Sequence, residues 1–434
     1  MMKFKITTLG CKVNIYESEA VSFDLINRGY ELVDKNPDLQ IINTCTVTQT
    51  SDAKSRKMIR SLIRENPHAI TVVMGCYSQL EAKEALSIEG VDIVIGTNNR
   101  KNIAELVEQY QMFKKQICTV VPSTEYKTFE ELKLSRLSLH TRGFIKIQDG
   151  CENFCTYCAI PYSRGPIKSR RPEDVIGEIK VLVNEGVKEI VLTGINTGTY
   201  GQDLGNIDLA SLIEKIMIEV PNLYRLRLSS IELMEVSDKL LQTIKKYSSR
   251  MAMHFHIPLQ SGCDETLKRM NRKYNMQEYF TTIRKIRSLF PTVSITTDCL
   301  AGFVGETEEE FQTTYDNIKK IGFYECHIFP YSKRPNTVAF NMDNHLDPSI
   351  IKKRANLLIK LSNELKNEYL DNSIGDIKEV LFEQKKNNNW YGHTSDYLDV
   401  FVNSKENLEN EVRKVKILKN LNGTLYGEEV KDEI

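Results

Sequence analysis

The sequence predicts an α/β protein of several domains that ends in a small β domain. Three observations carry this. Residues 1–118 alternate short apolar runs with helical patterns, and such alternation implies a parallel sheet with helices on its faces. The alternation resumes at Gly143 and runs for six further strand–helix units. After Gly375 it gives way to short β-like runs. At roughly 150 residues per domain, 434 residues allow two to four domains.

In residues 1–118, Phe4–Leu9, Leu39–Asn43, Ile70–Met74 and Val91–Ile95 read as strands. Asn14–Arg28, Ala53–Glu65, Leu80–Ser87 and Ile103–Tyr110 read as helices. Weak periodicity makes 119–140 a connector. In residues 141–372 the strands are Phe144–Gln148, Glu189–Thr193, Tyr224–Leu228, Met253–Ile257, Val293–Thr297 and Glu325–Phe329. The helices between them are Pro172–Glu185, Leu209–Glu219, Ser237–Tyr247, Met276–Leu289 and Thr307–Ile321. Pro172 stands where a first helical turn tolerates proline. The pattern fits a partial barrel and a doubly wound sheet equally. Asp347–Asn372 is a long Lys-rich amphipathic helix. In residues 373–434, Ile377–Phe382, Tyr397–Val402, Arg413–Leu418 and Thr424–Glu428 suggest a small β-barrel.

Lys plus Arg number 58 and Asp plus Glu 58, which excludes a wholly basic nucleic-acid coat and leaves local basic patches open. With 41% apolar and 27% charged residues, the chain matches a folded soluble enzyme rather than a disordered one. No run approaches the ~18 apolar residues of a spanning helix. The start, Met1-Met2-Lys3-Phe4-Lys5-Ile6, lacks a signal-peptide core. The expectation is a cytoplasmic protein with no membrane partner. There, ten cysteines serve as thiols or metal ligands more readily than as disulfides.

Cys151-Glu-Asn-Phe-Cys155-Thr-Tyr-Cys158 places three thiolates within eight residues, after Gly150 at a strand end. Iron–sulfur cubanes take Cys ligands, normally four. Three leave one iron open to a small molecule. The competing reading is structural zinc, which prefers paired knuckles, and no fourth Cys or His follows nearby. Cys11, Cys45 and Cys76 follow the first three strands of the N-terminal domain. Carboxyl ends of adjacent parallel strands share one edge, where ligands bind, so these three meet in space as a second set. For Cys118, Cys263, Cys299 and Cys326 the expectation is buried packing.

The CxxxCxxC spacing, with Tyr157 before the last Cys, resembles the radical S-adenosylmethionine (SAM) signature. GCENFCTYCAIPYSRG, TLGCKVNIYES, NTCTV, MGCYSQ, RLSSIE, HIPLQSG and GFVGETEEEF resemble the methylthiotransferases of that superfamily. The resemblance covers essentially the whole chain. It implies an N-terminal open parallel α/β domain, a central (β/α)6 partial TIM barrel, and a terminal β-barrel similar to the TRAM RNA-binding domain. One branch of that family modifies isopentenyladenosine in tRNA, one threonylcarbamoyladenosine in tRNA, and one a ribosomal-protein aspartate. TLGCKVN and FIKIQDGCENFC resemble the threonylcarbamoyladenosine branch most.

The resemblance implies two 4Fe-4S clusters and SAM. Cys151, Cys155 and Cys158 would hold the cluster that binds SAM and cleaves it to a 5′-deoxyadenosyl radical, which abstracts hydrogen from C2 of the adenine. Cys11, Cys45 and Cys76 would hold an auxiliary cluster whose added sulfide a second SAM methylates. The product would be 2-methylthio-N6-threonylcarbamoyladenosine at position 37, beside the anticodon. The implied partners are the tRNA anticodon stem-loop, a flavodoxin- or ferredoxin-like electron donor and a sulfur source.

For SAM contacts, the expectation rests on strand ends, where such barrels place ligand groups. The candidates are Tyr157, Thr193, Gly194, Ser229, Ser230, Glu232, Gln260, Ser261, Gly302 and Phe303, the last against the adenine. Turn chemistry is the competing account of the Gly and Ser positions. Arg164 stands ready to pair with a carboxylate of SAM or substrate, or lies on the surface. For RNA, the basic candidates are Lys168, Arg170, Arg171, Lys378, Lys385, Lys386, Arg413, Lys414, Lys416 and Lys419, with Trp390 and Tyr391 to stack on an unpaired base. Solvated charge and a core aromatic are the plain alternative. Two other readings are a cobalamin-dependent radical methylase and an electron-transfer scaffold. The first lacks an Asp-x-His-x-x-Gly ligand motif here, and SAM binding would count against the second.

Overall fold

The structure, a computed structural model, describes residues 1–46, 48–132 and 141–430. The N-terminal region runs β1 (Lys3–Thr8), α1 (Lys12–Asn27), β2 (Glu31–Leu32), β3 (Leu39–Thr44), α2 (Gln49–Glu65), β4 (Ile70–Gly75), α3 (Cys76–Leu80), α4 (Ala82–Leu86), β5 (Ile93–Val94), α5 (Ile103–Phe113) and β6 (Ile117–Cys118). The strands form one parallel sheet in the order β2-β1-β3-β4-β5-β6. Every residue of β3 and β4 is buried, as central strands covered on both faces must be. Val21 and Leu25 of α1 pack with Ile103 and Val107 of α5 on one face, and Ile59 and Leu62 of α2 with Tyr77 and Ala85 on the other. The helix expected over Leu80–Ser87 is instead two short helices that break at Glu81, whose backbone is not helical. Strands β2 and β6 have two residues each, too short to show a period.

The second region contains β7 (Arg142–Lys146), β8 (Gln148–Asp149), α6 (Ile160–Arg164), β9 (Lys168–Ser169), α7 (Pro172–Asn184), β10 (Glu189–Thr193), α8 (Leu209–Glu219), β11 (Arg225–Leu228), α9 (Asp238–Lys246), β12 (His254–His256), α10 (Asp264–Arg269), α11 (Met276–Leu289), β13 (Ser294–Ala301), α12 (Glu308–Ile321), β14 (Glu325–Pro330) and α13 (Pro348–Asp371). Parallel ladders join β7-β10-β11 and β12-β13-β14. Isolated parallel bridges at Leu226–Met251 and Ser230–His256 carry the sheet between them. Among the described residues no ladder returns from β14 to β7, so the sheet is a six-stranded partial barrel. The strand expected over Phe144–Gln148 stops at Lys146, and β8 peels away to pair antiparallel with β9.

Strand alternation sorts this barrel. Ile145, Ile190, Leu192, Leu226, Phe255 and Ile295 face the helices in one large apolar core. The intervening residues, among them Arg142, Glu189, Arg227, His254, His256, Asp298 and His327, face the interior. Helix α1 lies against β7, with Tyr16 and Ala20 packed on Phe144, Val191 and Leu132.

The last region is a closed antiparallel-rich barrel, β15 (Ile377–Lys386), β16 (Asn389–Thr394), β17 (Asp399–Val402), β18 (Val412–Asn420) and β19 (Leu425–Glu429), in the order β15-β16-β17-β19-β18. Val380, Phe382, Trp390, Val400, Val415 and Ile417 fill it. Strand β16 was not expected: its Asn-rich approach hides it, yet Asn387 and Asn388, at φ 47° and 65°, make the tight turn between β15 and β16. Tyr397 is a turn residue with φ 67° rather than the start of a strand.

That turn closes the amino-terminal end of the partial barrel. Arg227 donates to the carbonyls of Thr394 and Ser395 at 3.2 Å, and Ser294 Oγ donates to Asp396 O at 2.5 Å. The Tyr397 ring stacks on His254 and His393, at 5.0 and 4.8 Å, with the Arg227 guanidinium 4.6 Å from its centre.

Candidate active site

Three parallel strand ends deliver the first cysteine set. Cys11 caps α1 after β1, Cys45 follows β3, and Cys76 opens α3 after β4. Gly10, at φ 111°, lets the first loop approach the second: a Cβ there would stand 2.9 Å from Cys45 Cβ and 3.1 Å from its sulfur. Asn14 ties the loops by donating to Leu9 O and Thr44 O at 2.7 and 3.0 Å. Burial pushes the Cys76 thiol up to about 11, with Arg164 opposing and Cys11 and Cys45 adding to the push.

The second set sits on the loop after β8. Gly150, at φ 77°, is irreplaceable there, because a Cβ would fall 1.8 Å from Pro166 O. Cys158 N donates to Cys155 O at 2.9 Å, and Ile160 N reaches Cys158 Sγ at 3.4 Å. Thr156 N bonds Met270 O at 3.0 Å, which pins the loop beside the barrel. Burial pushes Cys151 and Cys158 each up to about 12.

Both sets fit a cluster held by three thiolates. One arginine N–H points at a sulfur in each: Arg164 Nε at 3.2 Å from Cys76 Sγ and Arg272 Nη1 at 3.3 Å from Cys155 Sγ. Thiols kept neutral by burial ionise when a bound cation holds them. Among the described residues, no cysteine triad brings its three sulfurs within 4.8 Å of one another. Ligands of a single zinc, at about 2.3 Å from the metal, must lie closer than that. Cubane ligands each take a different iron, so the wider spacing suits them.

Arg164 corrects the expectation that it meets SAM or sits on the surface. It is fully buried and pairs with Glu17 at 2.5 Å and Asp149 at 3.3 Å. Glu17 also takes Arg100 and Lys146, both at 2.7 Å. These cations hold Glu17 down to about 2 against the upward push of burial. Arg164 therefore belongs to a buried ionic hub where the N-terminal region meets the barrel, beside the first cysteine set. Lys168 donates to Arg164 O at 2.6 Å, and Arg170 pairs with Glu178 at 2.6 Å and Glu131 at 3.1 Å. Both are buried, so neither reaches RNA; Arg171 is exposed.

The SAM candidates divide. Ser229 Oγ is buried with no hydrogen-bond partner among the described residues, as are Asn196 Oδ1 and Glu235 Oε2. Orphans of this kind call for a ligand. Gly194 leaves only 3.0 Å between a hypothetical Cβ and Gln148 O, and Gln148 Oε1 accepts from Ile195 N and Asn196 N. Glu232 is held by Arg272, the same residue that touches Cys155. Ser230 and Gln260, the latter at φ 63°, lie on the inter-strand bridges, and Gly302 turns at φ 73° against Ile351. Thr193 ends β10, buried. Two candidates are corrected, because their side chains are already taken up by neighbours. Ser261 is wholly buried against Thr314 Oγ1 at 3.1 Å. Phe303 is wholly buried between Tyr157 and Tyr331, at 6.3 and 5.3 Å. Gln148, Asn196, Glu235, Arg272, Glu17 and Asp149 were not expected; only Gln148 and Asp149, directly before Gly150, carried a positional signal.

In the terminal barrel, Lys414 and Lys416 point outward while Val415 and Ile417 point inward, and a bulge after Ile417 leaves Lys419 exposed as well. Arg413 pairs with Glu411, and Lys378 with Asp396. Lys385 and Lys386 are exposed, the latter 3.6 Å over the Tyr391 ring. Trp390 is not a stacking platform: it lies in the core and donates to Glu406 O at 2.7 Å. Cys263, Cys299 and Cys326 are buried as expected, whereas Cys118 is exposed.

Comparison with known proteins agrees with this geometry. Residues 145–318 match the Radical SAM superfamily and residues 3–96 the Uncharacterized protein family UPF0004. A threonylcarbamoyladenosine tRNA methylthiotransferase of Bacillus subtilis is 41% identical, over 95% of this chain and 93% of its own. That of Thermotoga maritima is 38% identical, over 93% and 91%. A tRNA-2-methylthio-N(6)-dimethylallyladenosine synthase of Pelotomaculum thermopropionicum is 37% identical, over 89% and 88%. The radical SAM methyltransferase TsrM of Kitasatospora setae, solved with cobalamin and a [4Fe-4S] cluster, shares the fold at a TM-score of 0.57 and 15% identity, over 76% of this chain and 77% of that one. The partial barrel with its cysteine loop is thus that of a radical SAM enzyme. The chain belongs to the radical SAM methylthiotransferases, enzymes that transfer a methylthio group and use two 4Fe-4S clusters and SAM. Its relatives, and the cysteines on the sheet edge, set aside the cobalamin-dependent and scaffold readings. No helix among the described residues is long and apolar enough to cross a membrane.

Proposed function

We propose that this enzyme methylthiolates C2 of N6-threonylcarbamoyladenosine at position 37 of tRNA, in the cytoplasm. The observation that carries the reading is a set of three cysteines at neighbouring strand ends, touched by Arg164 from the helix that follows the CxxxCxxC loop, in a chain 41% identical to an enzyme named for that nucleoside. Cys151, Cys155 and Cys158 would hold one cluster and Cys11, Cys45 and Cys76 the other. When bound, these groups and SAM supply the one-electron and methyl-transfer chemistry that an unacidic aromatic C–H demands. The chain's own residues bind and orient. Ser229, Asn196 and Glu235 offer unsatisfied polar atoms at the ends of β10 and β11. Arg164 and Arg272 offset negative charge at the sulfurs. Helix α1 packs on the barrel beside β7 through Tyr16 and Ala20.

In this reading residues 1–118 carry the auxiliary cluster, 141–372 the SAM chemistry and 373–434 the RNA contacts, with 119–140 as the link. A flavodoxin- or ferredoxin-like donor supplies electrons, and a separate donor supplies sulfur. The second reading, isopentenyladenosine, draws on the 37% identical relative named for the dimethylallyl product. Mass spectrometry of tRNA nucleosides from cells with and without the protein decides. Loss of 2-methylthio-N6-threonylcarbamoyladenosine is expected. Loss of the isopentenyl counterpart alone decides for the second reading, and a changed ribosomal peptide with unchanged tRNA for a protein substrate.

A further inference from the structure

The interior of the partial barrel is layered along β13 and β14. Nearest the strand ends, Leu300 pairs with Phe329, both partly exposed. One step below on the same face, Asp298 pairs with His327. His256 on β12 joins them: its Nε2 stands 3.3 Å from Asp298 Oδ2, and its ring 5.6 Å from that of His327. An apolar pair thus stands at the strand ends, its Leu300 packed in the cluster that includes Tyr157 of the cysteine loop, with a polar layer beneath it.

Lys12, the residue after Cys11, reaches the same interior: it shares the neighbourhood of His254 with His256 and His327. Its Nζ is directed at the Tyr397 ring, 5.7 Å from the centroid. The neighbouring cations are already used: Arg227 pairs with Glu189 at 2.7 Å, and Arg142 with Glu383 at 3.1 Å. Among the described residues, no carboxylate comes within ion-pair distance of Lys12. A half-buried ammonium without a counter-ion is costly. An anionic ligand group would restore the balance with a charge-assisted hydrogen bond.

We propose that Lys12, with the His256–Asp298–His327 group nearby, receives a carboxylate-bearing N6 substituent of the target adenine. It thereby selects a threonylcarbamoyl base over one bearing a hydrocarbon chain. The inference rests on the substrate proposed above. With C2 presented to the cysteine edge, the base lies in the apolar layer, and the substituent, beyond N1, enters the polar one. The carboxylate meets Lys12; the carbamoyl N–H and hydroxyl meet His and Asp acceptors. An isopentenyl chain would leave Lys12 without a counter-ion, and a site built to bind a charged group rejects an analogue that lacks it.

The test is equilibrium binding of anticodon stem-loops to full-length, anaerobically reconstituted protein. The loops carry threonylcarbamoyladenosine, isopentenyladenosine or plain adenosine at position 37. Wild type is expected to prefer the first over the third by at least about tenfold. Lys12→Gln is expected to collapse that ratio towards one, and Lys12→Arg to keep most of it. Because each ratio compares two RNAs on one protein, a general loss of affinity cancels. Iron is measured in every preparation; where Lys12→Gln loses iron, His327→Phe, remote from Cys11, decides in the same terms with an expected fall of several-fold. An unchanged ratio in the deciding variant overturns the pocket and leaves the substrate proposal standing. Wild-type preference for the isopentenyl loop overturns the substrate proposal itself.

Discussion

Glu17 accepts three cations, Arg100, Lys146 and Arg164, while fully buried. Removing its charge leaves only Glu130 and Asp149 to balance three buried cations. Glu17→Gln is therefore expected to cost about 3–5 kcal/mol in denaturant unfolding, the range for breaking a buried pair. The stability Glu17 contributes is complete above the ordinary carboxylate value near 4.5 and is lost as pH falls from there towards about 2. Wild type should lose stability across that window more steeply than Glu17→Gln, by thermal melts at stepped pH. The cysteines separate differently. Cys155→Ala should abolish 5′-deoxyadenosine formation, while Cys45→Ala should retain it and lose methylthiolation. Equal loss in both folded variants would contradict the assignment of roles. Iron should approach roughly eight per chain after reconstitution, four per cubane, and fall by half when Cys11, Cys45 and Cys76 become Ala. At this scale the placement of Cys11, Cys45 and Cys76 at strand ends was legible because each follows an apolar run in the sequence. The burial of Arg164 was not, because its partner Glu17 lies 147 positions away.

The long helices and apolar strands of the two α/β regions were readable from periodicity, and Leu209–Glu219 and Met276–Leu289 coincide with the expected spans. Elements whose shape depends on neighbours were not readable. Strand β16 is defined by its pairing with β15 and β17 rather than by its own sequence. The turn bearing Tyr397 takes its meaning from the barrel end it fills. Tyr397→Ala should lower stability by about 2–3 kcal/mol, since a packed aromatic and its cation contacts are lost together. Tyr397→Phe, which keeps the ring, should cost much less; equal costs would mean that the hydroxyl, not the ring, holds the turn. On β18, Lys414→Glu, Lys416→Glu and Lys419→Glu combined should weaken tRNA binding and flatten its salt dependence by about two to three in the log–log slope. Unchanged affinity would show that these lysines only solvate the barrel.

For the whole molecule, the terminal barrel is not an appendage that can be trimmed. Deleting residues after Gly375 would remove the carbonyls that Arg227 donates to and the Glu383 partner of Arg142. Surface substitutions are the cleaner probe of RNA binding. The ionic hub has a comparable effect between the other two regions. A protease site inserted between Cys118 and Arg142 should, once cut, leave the two fragments co-eluting on size exclusion, because α1 and the hub join them independently of the link. Separation of the fragments would show that the link itself holds them.

Cys11, Lys12, Asn14, Tyr16 and Glu17 occupy the cap and the first turns of one helix, which touches a cysteine set, the barrel interior and the ionic hub in succession. A helix is a stiff yardstick. On the function proposed above, α1 and the hub fix where the first cysteine set stands relative to the barrel when the chain folds. A single stiff element thus ties three sites together, so a change at any one of Cys11, Lys12 and Glu17 is felt along the same helix.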